Sequence, residues 1–181
     1  MISNPLSTNY DLVNTVNDEK FTQIYTPDQG AVHLLNNERT FKNIKPMLCA
    51  CAVGVHSYST GIHRIRVRID NGNAFLGIRS RSIPPVPDDC AAGRYDSSPA
   101  TYGWGNTFCI FNGTPREFQR NHMYRCGDVY VLELNCDEHR LTMINENTKE
   151  QDDMEVDVSS APFPWCLFIH LPRTTAQVSL I

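Results

Sequence analysis

Two segments of this chain alternate apolar and polar residues with a period of two, and that period constrains the fold more than any other feature. In residues 63–69, His63, Ile65, Val67 and Ile69 share one side while Arg64, Arg66 and Arg68 share the other. In residues 128–136, Tyr130, Leu132, Leu134 and Cys136 form the apolar set, and Val129, Val131, Glu133 and Asn135 the other. Side chains alternate across a strand, so the first set of each segment faces a core and the arginines face out. Asp137-Glu138-His139 then leads into Leu141-Thr142-Met143 as the tight connection of a hairpin. Other short apolar runs, broken by Gly, Pro, Asn and Asp, predict strands near 31–35, 39–43, 47–53, 61–69, 73–79, 106–111, 128–136, 140–145, 163–170 and 175–181. With no long amphipathic helix among them, the spacing predicts an all-β sandwich or barrel.

Residues 1–20 are rich in Asn, Ser and Thr and weak in pattern, so a weakly structured N-terminal extension is expected there, followed by a single domain over 21–181. A chain of 181 residues buries roughly 70% of its unfolded surface and needs no disulfides. Its seven cysteines, at 49, 51, 90, 109, 126, 136 and 166, are odd in number and follow no framework. The N-terminal stretch Met-Ile-Ser-Asn-Pro-Leu lacks the basic and apolar regions of a secretory signal. Reduced thiols and a cytoplasmic location are therefore expected. No run approaches 18 apolar residues, and the net charge is −4. Neither a membrane nor a nucleic acid is the expected partner.

Candidate chemistry is sparse. There is no P-loop, G-x-G-x-x-G, H-E-x-x-H or G-x-S-x-G. His63 with Cys109 or Cys136 has the residue types of a thiol nucleophile and its base. His63 lies on a predicted inward face, however, and buried cysteines behave as small apolar groups. Cys49-Ala50-Cys51 has no second half at zinc spacing. The expectation is no enzyme activity, no metal and no cofactor. The Arg64, Arg66, Arg68 stripe is read as a solvated outer face offset by Asp152, Asp153 and Glu155, and Asn112-Gly113-Thr114 as a turn rather than a glycosylation site. The longest interval without strand character is 80–101, stiffened by Pro84, Pro85, Pro87 and Pro99; a loop of that size in a compact domain is usually functional or disordered.

The order of short motifs over residues 50–181 resembles the SPRY (B30.2-type) family. Gly61-Ile62-His63-Arg64-Ile65-Arg66-Val67 is similar to the family run Gly-x-His-x-Trp-x-Val, with Ile65 at the Trp position. Phe75-Leu76-Gly77-Ile78 resembles the next core strand, and Tyr102-Gly103-Trp104 the stretch after the long variable loop. Gly127-Asp128-Val129 with Leu132-x-Leu134 resembles the Gly-Asp strand, with Tyr130 replacing a small residue and Asn135 an Asp. Pro164-Trp165-Cys166-Leu167 stands where the family has a Tyr-Pro-x-Val/Phe strand.

The resemblance implies an antiparallel two-sheet β-sandwich, jelly-roll-like, that binds a short peptide or a protein surface through loops at one end. The chain is also compatible with being one part of a longer multidomain protein. The expected face joins the 80–101 loop to the turn at 170–175, placed side by side. Its expected partner-binding residues are Arg79, Arg94, Tyr95, Tyr102, His170 and Arg173, since Tyr and Arg combine apolar area with directed hydrogen bonds. The alternative reading is a carbohydrate-binding sandwich, with Trp104 to stack on a sugar and Asn106 and Arg116 as donors.

Overall fold

The computed structural model describes residues 12–85, 98–119, 123–172 and 175–181. Apart from one 3-10 turn at Gln29–Ala31, the regular structure described there is β-strand. The strands run β1 (Val13–Val16), β2 (Phe21–Tyr25), β3 (Val32–Leu35), β4 (Thr40–Asn43), β5 (Ala50–Gly54), β6 (Ile62–Asn71), β7 (Phe75–Ser80) and β8 (Thr101–Trp104). They continue as β9 (Phe108–Phe111), β10 (Thr114–Glu117), β11 (Val129–Asn135), β12 (Arg140–Asn145), β13 (Gln151–Glu155), β14 (Trp165–Leu171) and β15 (Ala176–Leu180). Among the described residues no helix is long and apolar enough to cross a membrane.

The strands form two sheets. The first runs β13-β12-β11-β6-β15-β4-β3, and β1 is added in parallel to the start of β6. The second runs β10-β9-β8-β7-β14-β5-β2, and its pairings are antiparallel. The two face each other over one core, so the expected antiparallel two-sheet sandwich is the observed architecture. The alternation that predicted it is present: Ile65, Val67 and Ile69 are buried while Arg64 and Arg68 are exposed. Tyr130, Leu132, Leu134 and Cys136 are buried against half-buried Val129, Val131, Glu133 and Asn135. The β11–β12 hairpin turns as expected, with His139 at φ +54°.

Strands β1, β2, β8, β10 and β13 have no counterpart in the sequence-based expectation. Three of them show why: β10 is exposed throughout, β13 buries Met154 alone, and β1 buries only Val16. A strand with one buried residue or none carries no period-two signal. The structure incorporates residues 13–20 of the expected extension, through β1 and through Glu19, which is 1% exposed. Asn112-Gly113 is the turn expected there, with φ +53° and +68°, a left-handed pair that suits a two-residue hairpin between β9 and β10.

The second sheet is covered on both faces. Leu76, Ile78, Tyr102, Trp104, Leu167 and Ile169 point into the shared core. Cys51, Val53, Phe75, Cys166 and Phe168 form a separate buried cluster on the opposite face. Strand β14 is buried at each of its residues. Gly77 and Gly103 sit opposite each other on β7 and β8, where a Cβ on Gly77 would lie 2.1 Å from the Tyr102 carbonyl oxygen.

Candidate protein-interaction surface

Three of the six expected contact residues are described, and all three are buried. Arg79 is 2% exposed on the outer face of β7. Its guanidinium donates to the Ile83 carbonyl and, at 3.0 Å, to that of Pro84, and it stands 5.9 Å from the Phe168 ring centre. Arg79 therefore fastens the first residues of the 80–101 loop to the sheet. Tyr102 faces the core; its hydroxyl accepts from the Asp157 N–H at 3.2 Å, its ring meets Phe111 edge-on, and burial raises its pKa. His170 lies between Cys51 and Phe75 in neighbouring strands, and burial pushes its pKa down to about 3. Arg94, Tyr95 and Arg173 lie outside the described residues.

The strand register sets the stems of the two loops apart, while residues 86–97 and 173–174 of those loops lie outside the described residues. Trp165 pairs with Ser80, where the 80–101 loop begins, whereas His170 pairs with Phe75 at the other end of β7. Thr101, where that loop ends, pairs with Arg79. The stems of the 80–101 loop thus lie at the Trp165 end of β14, and the turn that follows His170 leaves its other end. Antiparallel pairing of β7 with β14 dictates this, because the strand that enters the loop runs against the strand that enters the turn.

At the Pro172 end the turns build a groove. Asn106, between β8 and β9, donates to Asn73 Oδ1 at 3.1 Å and accepts from the Tyr124 N–H at 2.8 Å, so one amide ties three segments. Tyr124 in turn donates its hydroxyl to the Trp104 carbonyl at 3.1 Å. A cavity of about 150 Å³ opens between Asn73, Phe75, Asn106, Phe108 and Pro172. It shares Asn106, Thr107 and Phe108 with a wider cavity of about 680 Å³ whose other wall includes Pro115, Arg116, Glu117 and Phe118. Phe108 stacks on Phe75 with rings 6.1 Å apart and nearly parallel, which fixes that side of the groove. Arg116 lies 4.6 Å over the Phe111 ring and keeps its charge on the exposed face of β10.

Strand β10 is an edge of its sheet, and Pro115 sits where it blunts that edge. The Phe118 N–H bonds the Thr107 carbonyl, so the alternation of the β9–β10 pairing turns position 115 outward. A proline there removes an outward donor without costing a ladder bond.

Elsewhere the candidate chemistry is already engaged. His63 contacts Asn14 at 3.3 Å and the Thr60 carbonyl at 2.7 Å. Burial pushes the Cys136 thiol up to about 12 and raises that of Cys109, which opposes formation of the nucleophilic thiolate. The outward arginines are paired, but with other partners than expected: Arg64 with Glu133 at 2.7 Å, Arg66 with both Glu146 oxygens at 2.6 and 2.8 Å, and Arg68 with Asp70 at 2.6 Å. Strands β11 and β12 separate β6 from β13, so Asp153 meets Arg140 instead, at 3.9 Å.

No family model and no curated protein matches this sequence. Solved structures do match its fold. The PSpry domain of TRIM65 is 15% identical with a TM-score of 0.68, over 93% of this chain and 91% of that one. The SPRY domain of human HERC1 is 11% identical with a TM-score of 0.62, over 84% and 95%. Stonustoxin is 10% identical with a TM-score of 0.68, over 93% of this chain and 27% of that one.

Proposed function

We propose that this chain, which has the SPRY fold, is a non-enzymatic recognition module that binds a short peptide of a protein partner through turns at one end of its sandwich. The observation that carries this reading is the groove at the Pro172 end. Its aromatic wall (Phe108, Phe118), amide groups (Asn73, Asn106) and guanidinium (Arg116) are the mixture that holds an extended peptide: apolar area for side chains, amides for backbone, and one charge for register. Short turns on a rigid sheet pair make such a site at little entropic cost. On this reading Arg79 acts by holding the start of the 80–101 loop.

The carbohydrate reading is weaker. Asn106 and Arg116 both reach the groove, but Trp104 is 1% exposed and offers no face for a sugar to stack on.

Selection from a displayed peptide library, run beside a glycan array, separates the two. Peptides should be enriched, and Arg116→Ala should weaken the best of them by about 1–4 kcal/mol. Arg66→Ala, on the outer face of the other sheet, should leave binding intact. Enrichment of glycans alone, or peptide binding lost with Arg66 and kept without Arg116, would overturn the proposal.

A further inference from the structure

At the opposite end of the sandwich, residues 13–19 lie in a slot built by the rest of the domain. Val13–Val16 pairs in parallel with Ile62–Ile65. Of residues 12–19 only Val16 and Glu19 are buried, at 8% and 1% exposure, while Leu12, Asn14, Thr15, Asn17 and Asp18 are exposed. The side-chain selectivity of the slot therefore rests on two positions three residues apart.

The Glu19 pocket is made for a carboxylate. One oxygen accepts from the Tyr58 hydroxyl and the other from the His56 N–H at 3.2 Å. Gly54 leaves room for the head group: a Cβ there would lie 2.6 Å from a Glu19 oxygen. The pocket walls have supports outside residues 13–19, beside the contact of the His56 ring with Asp18 at 3.0 Å. Tyr58 exchanges two backbone bonds of 2.8 Å with Trp165, and Arg81 donates to the carbonyls of Gly54 and His56 at 2.5 and 2.6 Å. Among the described residues no acceptor meets the buried Arg81 Nε–H.

We propose that this slot is a second recognition site, for an extended partner segment carrying a carboxylate three residues after an apolar side chain, and that the chain's own Val13–Glu19 segment fills it until such a partner displaces it. The holding contacts are a four-residue parallel pair, which is slightly less stable per residue than an antiparallel one, one buried valine, one buried carboxylate, the Asn17 carbonyl bonded by Arg39 at 2.8 Å, and two exposed side-chain contacts, Asn14 with His63 at 3.3 Å and Asp18 with His56 at 3.0 Å. Release needs only a hinge at Lys20, because the next residue, Phe21, is fully buried and anchors β2. The slot is separate from the groove at the Pro172 end, and either can fail without the other.

The test uses the full chain and a synthetic peptide of residues 12–20. A tethered segment competes at an effective concentration on the order of millimolar. Millimolar peptide should therefore raise deuterium uptake across residues 13–19 of the wild-type chain and leave 62–65 protected. The Glu19→Ala chain, whose own segment has lost its anchor, should bind labelled peptide at least about tenfold more tightly than the wild type. A peptide with the same glutamate replaced by glutamine should bind neither. Unchanged uptake across 13–19 in the wild-type chain at millimolar peptide overturns the proposal, whether or not the Glu19→Ala chain folds.

Discussion

Acidification should destabilise this domain chiefly through His170. The imidazole is 3% exposed, and burial holds its pKa at about 3 against an ordinary 6.5. At pH 7 it is neutral in the folded and unfolded chains alike, so it contributes no pH dependence there. Below 6.5 the unfolded chain takes up a proton that the folded chain refuses, and stability falls by about 1.4 kcal/mol per pH unit until the folded pKa is reached. Between pH 6.5 and 4 the loss is about 3 kcal/mol, a large part of the roughly 5–15 kcal/mol that holds a domain together. Carboxylates also titrate in this window. Asp70, whose charge is held by hydrogen bonds from Ser179, Arg68 and Gln177, has a lowered pKa despite its burial and adds to the loss. His170→Gln separates the two contributions, since it removes the titration and leaves the carboxylates in place. Urea unfolding of both chains at pH 7 and pH 4 is the assay. The wild type should lose about 3 kcal/mol more than the variant over that interval. Equal losses in the two chains would refute the reasoning and place the acid sensitivity elsewhere.

Leu132→Ala, fully buried between Ile65 and Met143 of the adjacent strands, should cost about 2–5 kcal/mol in urea or thermal unfolding. Tyr58→Phe leaves the buried Glu19 carboxylate without its hydroxyl donor and should cost about 1.5–3 kcal/mol by the same measurement, with the sheets retained by circular dichroism. All seven cysteines should be alkylated after denaturation without reductant. In the native chain the exposed Cys126 should react well before Cys166, whose thiol burial pushes up to about 11.

What the sequence made legible follows from burial. Strands β6 and β11 bury alternate residues, and both were readable within two residues at either end, although His63, expected inward, is only half-buried. Strand β10, Thr-Pro-Arg-Glu, and strand β13, Gln-Asp-Asp-Met-Glu, exist because a neighbour offers them a ladder. Their own residues record almost nothing of it. The positions of loops were less legible still. Which end of the sandwich a loop leaves from depends on strand order, and no local pattern states that β14 lies between β7 and β5. Asn106 and Arg116, chosen as polar donors near an aromatic, do reach one groove. Trp104 shares the inward face of β8 with Tyr102 and so turns away from them. Glu19 gave no signal, because a carboxylate beside Asp18 in a polar stretch reads as solvated until the pocket around it is seen.

The position of β14 also sets when this domain can exist during its own synthesis. That strand supplies the partner for β5 on one side and β7 on the other, and it is covered above and below. Pairings so distant along the chain form slowly, in milliseconds to seconds for sheet proteins. At a synthesis rate of about 5–20 residues per second, the roughly 90 residues from Ser80 to Leu171 keep the ribosome occupied for about 5–20 seconds. Strand β8 can pair with β7 once residue 104 is made, but the β14 side of Phe75, Leu76 and Ile78 stays open until the end of that interval. A ribosome stalled before residue 165 would release a product that lacks the strand joining β7 to β5, with the inner faces of both left open.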